Sequence, residues 1–365
     1  MRLSRLPLVC IPLIPFFQLH SQTAAPERPR ALSDAITEAR RFIRDTMKVL
    51  GAPGASITVI RNGRVIWSEG FGYADVENQV RVTPQTRFRV GSVSKPLTSI
   101  ALGLLYEEGK IDLDAPVQRY VPGFPAKRWP ITVRQVAGHL AGIRHYNDGE
   151  FDNMRYYPTV DSGLSIFKND SLLFEPGTRY SYSSYGWNLL SAVIEGASGQ
   201  PFLTFMKTRV FAAAGLTHTG PEYTDSIIPF RARFYTRTDS VSPVINAQYV
   251  DNSYKWAGGG FLSTTDDLAH FGELLLEGRL LKPETRNLWW TSQKTSNGRD
   301  TGYGIGWGTS TDSTGRRRIG HTGGAMGGTA SLQIFPKEKL VIALLVNSDY
   351  TFLSAVPRLA ALFMN

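Results

Sequence analysis

Segments with strand character lie near the two ends of the chain. Near the N-terminus, "ASITVIRNGRVIWSEGFGYAD" has two apolar runs joined by Asn62-Gly63, a dipeptide that favours the type I′ turn of a β-hairpin. Near the C-terminus, "GGTASLQIFP" and "LVIALLVN" are joined by a short "KEK" turn and predict a second hairpin. The pattern predicts one sheet built from both ends of the chain, with a helical insertion between them.

Helical patterns occupy most of the remaining chain. "LSDAITEARRFIRDTMKVLGAPG" predicts an amphipathic helix that ends near Gly51, and apolar spacing from Leu97 predicts another. "STTDDLAHFGELLLEG" begins with a capping pattern from Thr264 to Asp267, and the final "FLSAVPRLAALFMN" also has a helical pattern. Residues 110–250 look mainly helical and rich in loops. The 365 residues suffice for one large two-lobed domain or two small ones.

The first residues have the pattern of an export signal. "MRLSR" is basic, and "LPLVCIPLIPFFQL" is apolar but too short to span a bilayer comfortably, with prolines that make it a poor membrane helix. We predict a signal peptide over residues 1–25, export to the periplasm or secretion, and no stable membrane span. Because no acidic residue precedes Glu27, an organelle transit peptide is the alternative.

Several classes of chemistry are excluded. Cys10 is the only cysteine, which rules out an internal disulfide in the mature chain, a thiol nucleophile and a zinc–thiolate site. H-E-x-x-H and G-x-S-x-G are absent, so we expect no metal, no cofactor and no α/β-hydrolase fold. The formal charge is +9, but the basic residues are scattered apart from Arg316, Arg317 and Arg318, and we predict no nucleic-acid partner.

Ser92 is the candidate nucleophile, because it stands three residues before Lys95 where a helix begins. A serine hydroxyl needs an adjacent base, and side chains at i and i+3 lie on one helical face. Lys95 can take the proton if burial or neighbouring cations lower its pKa, and backbone N–H groups at a helix start can bind an oxyanion. The same spacing recurs at Ser165 and Lys168 in a loop-rich segment, so alone it is weak evidence.

Two further segments carry candidate partners. "RYSYSSYGW" places Tyr182 just before an apolar helix, and "GHTGGAMGG" places His321 on a short predicted strand followed by glycines that let a substrate backbone approach. Each also has a structural interpretation, as a core tyrosine, a strand histidine or a tight turn. The joint order of S-x-x-K, Tyr-Ser-x and His-Thr-Gly favours an active site. We interpret His139 and His145 as structural or pocket-rim residues.

Longer segments resemble a known family. "GSVSKPLTSIA", "HLAGIRHY", "IFKND", "YVDNSYKWAGGGFLST" and "HTGGAMG" are similar to the serine β-lactamase and penicillin-binding-protein superfamily, especially its class C-like branch and the β-lactamase-like proteins of animal mitochondria. The resemblance covers roughly residues 31–365. It implies an α/β (α+β) fold of β-lactamase/transpeptidase type, with an antiparallel sheet flanked by helices and an all-helical lobe. We assign residues 31–91 and 255–365 to the sheet lobe and 92–254 to the helical lobe.

The resemblance also implies roles. Ser92 would be acylated, Lys95 would be its base partner, and Tyr182 would pass protons to the leaving group and activate water. The oxyanion hole would use the backbone N–H groups of Ser92 and Gly324. The site would lie between the two lobes.

Two positions depart from the family's pattern. His321, Thr322 and Gly323 fall on its Lys-Thr-Gly strand, and a histidine with an unperturbed pKa near ~6.5 is mostly neutral at about pH 7. A substrate carboxylate then lacks the fixed cation that lysine provides, which disfavours efficient β-lactam hydrolysis. Ser184 stands where many members carry an asparagine that donates to the substrate amide, and serine is shorter.

We therefore predict a serine hydrolase that acts through an acyl-enzyme on small peptides, amides or esters. A D-Ala-D-Ala carboxypeptidase or weak β-lactamase is an alternative within that chemistry. A non-catalytic binding or assembly protein on the same fold is the alternative outside it. The resemblance also implies a homo-oligomer or filament as one state of assembly.

Overall fold

The structure is a computed structural model that describes residues 31–239, 242–312, 314–349 and 356–364. Its strands are β1 (Gly54–Arg61), β2 (Arg64–Asp75), β3 (Val80–Arg81), β4 (Phe88–Arg89), β5 (Gly220–Pro221), β6 (Tyr235–Thr236), β7 (Ile245–Asn246), β8 (Phe261–Ser263), β9 (Gly308–Thr311), β10 (Arg317–Ala325), β11 (Gly328–Phe335) and β12 (Leu340–Val346). Its α-helices are α1 (Leu32–Leu50), α2 (Ser94–Glu107), α3 (Val133–Ala137), α4 (Val160–Leu164), α5 (Ser184–Ser198), α6 (Phe202–Phe205), α7 (Trp256–Gly259), α8 (Thr265–Leu276), α9 (Pro283–Trp289) and α10 (Val356–Leu362).

Strands from both ends of the chain form one seven-stranded antiparallel sheet, in the order β3-β2-β1-β12-β11-β10-β9. The two ends meet where β1 pairs with β12, and this confirms the sheet that the sequence predicts. Asn62 and Gly63 both have positive φ, +51° and +75°, as a type I′ turn requires. The second predicted hairpin is β11–β12.

Helices cover both faces of the sheet. On one face, α1 and α10 share a buried apolar cluster with β1 and β12, in which Ile43, Ile57 and Leu344 are almost fully buried. On the other face, α8 packs against β1, β11 and β12. Ser56 and Thr58 of β1 hydrogen-bond to the Thr265 hydroxyl at the start of α8, which joins the helix to the sheet through a buried polar contact.

The middle of the chain contains α3 to α6, and α2 and α5 are buried along most of their length. The short strand sets β4-β8-β5 and β6-β7 were not predicted, because strands of two or three residues are too short to show an alternating pattern. Among the described residues, no helix has the length and apolar character to cross a membrane. The predicted signal peptide over residues 1–25 lies outside the described residues, as do residues 352–355 and 365 of the predicted C-terminal helix.

A close approach between β10 and the 3₁₀ turn Gly91–Val93 joins the sheet to the start of α2. A Cβ on Gly323 would overlap the backbone oxygen of Val90, and a Cβ on Gly91 would lie 2.5 Å from the backbone oxygen of Gly324. Gly91 also has φ +48°, a backbone conformation that favours glycine. Glycine on both sides of the junction therefore permits the two segments to touch.

We expect Gly323→Ala to lower the free energy of unfolding by about 1–3 kcal/mol, because the added methyl group meets a backbone oxygen that cannot move aside freely. The matched control is Gly324→Ala, where a Cβ would meet no atom within 4 Å. It should stay within about 0.5 kcal/mol of the wild type. Urea unfolding of both variants measures the difference, and equal losses would contradict the proposed packing.

Candidate active site

Ser92 lies in the 3₁₀ turn and is partly exposed, whereas Lys95, in the first turn of α2, is completely buried. Lys95 Nζ lies 3.0 Å from Ser92 Oγ and 3.0 Å from Ser184 Oγ. Its third contact is the backbone oxygen of Gly258, at 2.7 Å. The lysine therefore connects the turn before α2 with α5 and α7.

These three contacts suit an uncharged amine. A neutral amine has two N–H groups and one lone pair. The Gly258 carbonyl can only accept and Ser184 Oγ can accept the second N–H, so the lone pair is free to accept the Ser92 hydroxyl. Burial lowers the pKa of Lys95 well below its ordinary value, and the charge of Lys255 acts in the same direction. Lys95 is thus arranged to receive the Ser92 proton.

Lys255 is itself buried, immediately before α7. Its Nζ donates to the backbone oxygen of Phe151 at 3.1 Å and lies 4.4 Å and 5.0 Å from the ring centres of Phe151 and Tyr254. Burial lowers the pKa of Lys255 to about 7, with a further contribution from Arg89. A partly protonated amine therefore lies behind the candidate site at neutral pH.

Tyr182 lies two residues before α5. Its hydroxyl lies near Ser92 and Ser184, and its ring centre is 4.8 Å from Lys95 Nζ. Burial raises the pKa of Tyr182, so its phenol remains protonated at neutral pH. Such a group can carry a proton between neighbours, but it is a poor base in the resting site.

Ser184, the first residue of α5, is also buried. Its Oγ accepts a hydrogen bond from Lys95, and the hydroxyls of Tyr182 and Tyr146 lie near it. Ser184 therefore links the lysine to the tyrosine. Its predicted contact with a substrate amide stays a prediction.

Along β10, Thr322 and Gly324 are exposed, whereas His321 and Gly323 are buried. A Cβ on Gly91 would lie 2.9 Å from the Gly324 nitrogen, and one on Gly323 would lie 3.0 Å from the Ser92 nitrogen. The backbone N–H groups of Ser92 and Gly324 are therefore neighbours at the junction. Two adjacent N–H groups beside a nucleophile can bind a developing oxyanion.

His321 is buried on β10, and its imidazole lies between two hydrogen-bond partners. Its Nδ1–H donates to the backbone oxygen of Thr322, and Nε2 accepts from the Tyr303 hydroxyl at 2.9 Å. Burial lowers the pKa of His321 to about 3; nearby Lys95 acts in the same direction, and the Thr322 bond opposes both. Both ring nitrogens are occupied, and the ring is neutral.

A cavity of about 300 Å³ opens beside Tyr182, Tyr303, His321 and Thr322. Of the arginine triplet, Arg318 lines this cavity and donates through Nε to the Ser310 hydroxyl. Arg317 donates instead to the backbone oxygen of Trp290, and Arg316 lies 3.9 Å from Glu338. The side chains thus alternate in direction, as an extended segment requires.

The second S-x-x-K sequence forms no comparable pair. Ser165 is exposed and donates to the backbone oxygen of Ser162, while Lys168 Nζ lies 3.2 Å from Asp161. Within the described ranges, the His, Cys, Asp and Glu side chains form no group of three or more that could hold a metal ion.

The sequence-based set of site residues lacked Tyr303, Lys255 and the carbonyl of Gly258. Tyr303 lies in the glycine-rich "DTGYGIGW", which has no helical or strand period, and its bond to His321 depends on the fold. A backbone carbonyl leaves no signature in a side-chain pattern. The segment "YKWAGGG" was the available signal, since it places a lysine in an otherwise apolar stretch.

Comparisons with known proteins find relatives along most of the chain. The family model described as Beta-lactamase matches residues 39–363. The chain is 34% identical to the human (Homo sapiens) serine beta-lactamase-like protein LACTB, mitochondrial, over 87% of this chain and 75% of that protein.

Two solved structures are also similar. The octameric penicillin-binding protein homologue from Pyrococcus abyssi has a TM-score of 0.79 at 26% identity, over 89% of this chain and 76% of that one. The D-stereospecific amidohydrolase from Streptomyces sp. has a TM-score of 0.72 at 26% identity, over 86% and 94% respectively.

Acid should destabilise the protein through His321. Its pKa in the folded state, about 3, lies below the unfolded value of about 6.5, so the unfolded state binds the proton first. The resulting stability is present above about pH 6.5 and is lost as the pH falls toward 3. Between pH 6 and 5, His321→Gln should reduce the slope of unfolding free energy against pH by about 1 kcal/mol per unit. Urea titrations at several pH values measure the unfolding free energy of both proteins. Equal slopes for the wild type and His321→Gln would contradict the prediction.

Proposed function

The chain belongs to the beta-lactamase family, whose members are largely serine hydrolases, and from this premise we propose that it hydrolyses small peptides, amides or esters through an acyl-enzyme. The observation that carries the proposal is the buried Lys95 amine 3.0 Å from the partly exposed Ser92 hydroxyl. The similarity to an amidohydrolase supports the class of reaction.

In acylation, Lys95 Nζ takes the Ser92 proton while Oγ attacks the carbonyl carbon of the substrate. The electron pair of the C=O bond moves to its oxygen, and the backbone N–H groups of Ser92 and Gly324 stabilise the charge. The proton then passes from Lys95 through the hydroxyls of Ser184 and Tyr182 to the leaving nitrogen or oxygen. The hydrogen bond from Lys95 to Ser184 and the position of the Tyr182 hydroxyl near Ser184 support this route.

In deacylation, a water molecule attacks the Ser92 ester while its proton passes through the hydroxyls of Tyr182 and Ser184 to Lys95 Nζ. The bond between Ser92 Oγ and the acyl carbon breaks, the acid leaves, and the proton returns to Ser92 Oγ. Because the route is the reverse of acylation with water in place of the leaving group, the same residues serve both steps.

The charges in the site favour neutral substrates. Lys95 and His321 are both uncharged, so the two positions nearest the nucleophile provide no cation for a substrate carboxylate. Arg318 lines the cavity, but a guanidinium in contact with solvent contributes at most about 1 kcal/mol to an ion pair. Neutral esters and amides are therefore better substrates than β-lactams, which carry a carboxylate.

Assembly and destination are part of the proposal. The similar Pyrococcus abyssi protein is octameric, which supports a homo-oligomer here. The similar human protein is mitochondrial, which supports the organelle alternative for residues 1–25 beside export. Imaging of a C-terminally tagged full chain in its own cell distinguishes these destinations.

The nucleophile is tested with a serine-reactive phosphonate. We expect the label on Ser92 and none on Ser165, as read by peptide mapping with mass spectrometry. Lys95→Arg places a permanently protonated guanidinium beside Ser92 that cannot accept the proton, so it should slow labelling by about 10²–10⁴-fold. A label on another serine, or unchanged labelling of Lys95→Arg, would refute the assignment.

Substrate charge is tested with a matched pair, an amide with a free carboxylate and its methyl ester. The methyl ester should have the higher kcat/KM, and the ratio of the two KM values should change less than about twofold from pH 5 to pH 8, because the pKa of His321 is about 3.

Two variants serve as controls for this pair. Arg318→Gln should raise KM for the carboxylate by at most about fivefold, while Arg317→Gln, whose guanidinium turns to Trp290, should leave both substrates unchanged. A KM ratio that changes tenfold near pH 6 in the wild type and stays constant in His321→Gln would contradict the neutral histidine.

A further inference from the structure

His139 lies directly behind Tyr182, two residues after the end of α3, and only 2% of its surface is exposed. Its backbone has φ +62°, in the left-handed region that residues other than glycine seldom adopt. Strain of this kind persists where the surrounding contacts hold the residue in place. Three of the contacts that hold His139 lead to the segment around Tyr182.

His139 contacts the residues on both sides of Tyr182. The Ser181 N–H donates to the backbone oxygen of His139 at 2.9 Å, and the Ser183 N–H donates to its Nδ1 at 3.1 Å. The imidazole also packs on the phenol, with ring centres 4.2 Å apart and a tilt of 37°. One residue therefore holds the backbone before and after Tyr182 as well as the ring itself.

The segment needs such support because residues 179–183 form neither helix nor strand. No ladder of backbone hydrogen bonds fixes the direction of the Tyr182 side chain. From the helix side, the Ser183 hydroxyl donates to the backbone oxygen of Arg144 and accepts from the Gly186 N–H. His145, at the exposed rim, accepts the Ser184 N–H through Nδ1.

The hydrogen bond from Ser183 also fixes the protonation of His139. A backbone N–H can only donate, so Nδ1 carries no proton and Nε2 carries it. Burial lowers the pKa of His139 well below its ordinary value, and Lys95, His321 and His145 act in the same direction. Nε2 has no hydrogen-bond partner among the described residues. An apolar side chain could fill the same space without burying an unpartnered N–H. The feature that distinguishes the histidine is therefore Nδ1, which accepts the Ser183 N–H.

We propose that His139 is a positioning residue for Tyr182. Its carbonyl, its Nδ1 and the face of its ring hold the phenol hydroxyl against Ser92 and Ser184, where it delivers the proton to the leaving group. The inference rests on the proposed function, because it gives His139 a role only through Tyr182.

The test compares two leaving groups on the same acyl group, a p-nitroanilide and a p-nitrophenyl ester. An anilide nitrogen must be protonated as it leaves, whereas nitrophenolate leaves without a proton. The quantity measured is kcat/KM, which covers the steps up to acylation. Tyr182→Phe and His139→Ala should each reduce kcat/KM for the anilide about tenfold or more beyond any loss for the ester.

His139→Asn is the matched variant. Asparagine tolerates the left-handed backbone and offers an oxygen to the Ser183 N–H, but it has no ring to pack on Tyr182. It should recover part of the anilide activity that His139→Ala loses. In the Tyr182→Phe background, either His139 substitution should cost less than about twofold more, because the hydroxyl that it positions is already gone. If His139→Ala does not fold, the double-mutant comparison with Tyr182→Phe is made with His139→Asn.

The outcomes separate this inference from the proposed function. The His139 variants could lose kcat/KM equally for the anilide and the ester, or their losses could multiply fully with that of Tyr182→Phe. Either result would show a general structural role for His139. It would overturn this inference but leave the proposed function standing. If Tyr182→Phe leaves the anilide reaction unchanged, the proposed role of Tyr182 fails and the inference fails with it.

Discussion

The burial of the Lys95 amine is the interaction on which the candidate site depends. Its partners in the part of the chain that the structure describes are Ser92, Ser184 and a backbone carbonyl of α7, and none of these is acidic. A buried ammonium without a counter-ion is costly, so the amine loses its proton. The same nitrogen brings together the turn before α2, the start of α5 and the glycine-rich α7, and its lone pair is directed at the one partner that is partly exposed.

Burial leaves Tyr182 and His321 uncharged as well. It raises the pKa of Tyr182, which keeps its proton, and it lowers the pKa of His321, which does not gain one. In the resting site, Lys95, Ser184 and Tyr182 are all uncharged. No permanent charge on these three side chains therefore holds a proton at one end of the route. Because these groups are neutral, Arg318 is the cationic residue in the wall of the cavity. A comparison of charged and neutral substrates therefore reports on the charge of the site.

The elements that the sequence predicted well are those with a local cause. Asn62-Gly63 closes its hairpin because the two residues alone satisfy the turn, and the i, i+3 spacing places Ser92 beside Lys95 once α2 forms. The properties that were missed depend on distant contacts. Tyr303 reaches His321 only because β9 and β10 pair, and the resulting burial moves the histidine pKa to about 3. No local pattern encodes a carbonyl such as that of Gly258.

The central claim is that Lys95 is an unprotonated amine near neutral pH. Nuclear magnetic resonance of protein labelled with ¹³C at lysine Cε follows each amine as a function of pH, and the Lys95 signal is identified by its loss in Lys95→Arg. At pH 8, exposed lysines remain protonated because their pKa is about 10.4. The Lys95 signal should already have the shift of a neutral amine, whereas a protonated Lys95 that titrates together with the exposed lysines would contradict this account.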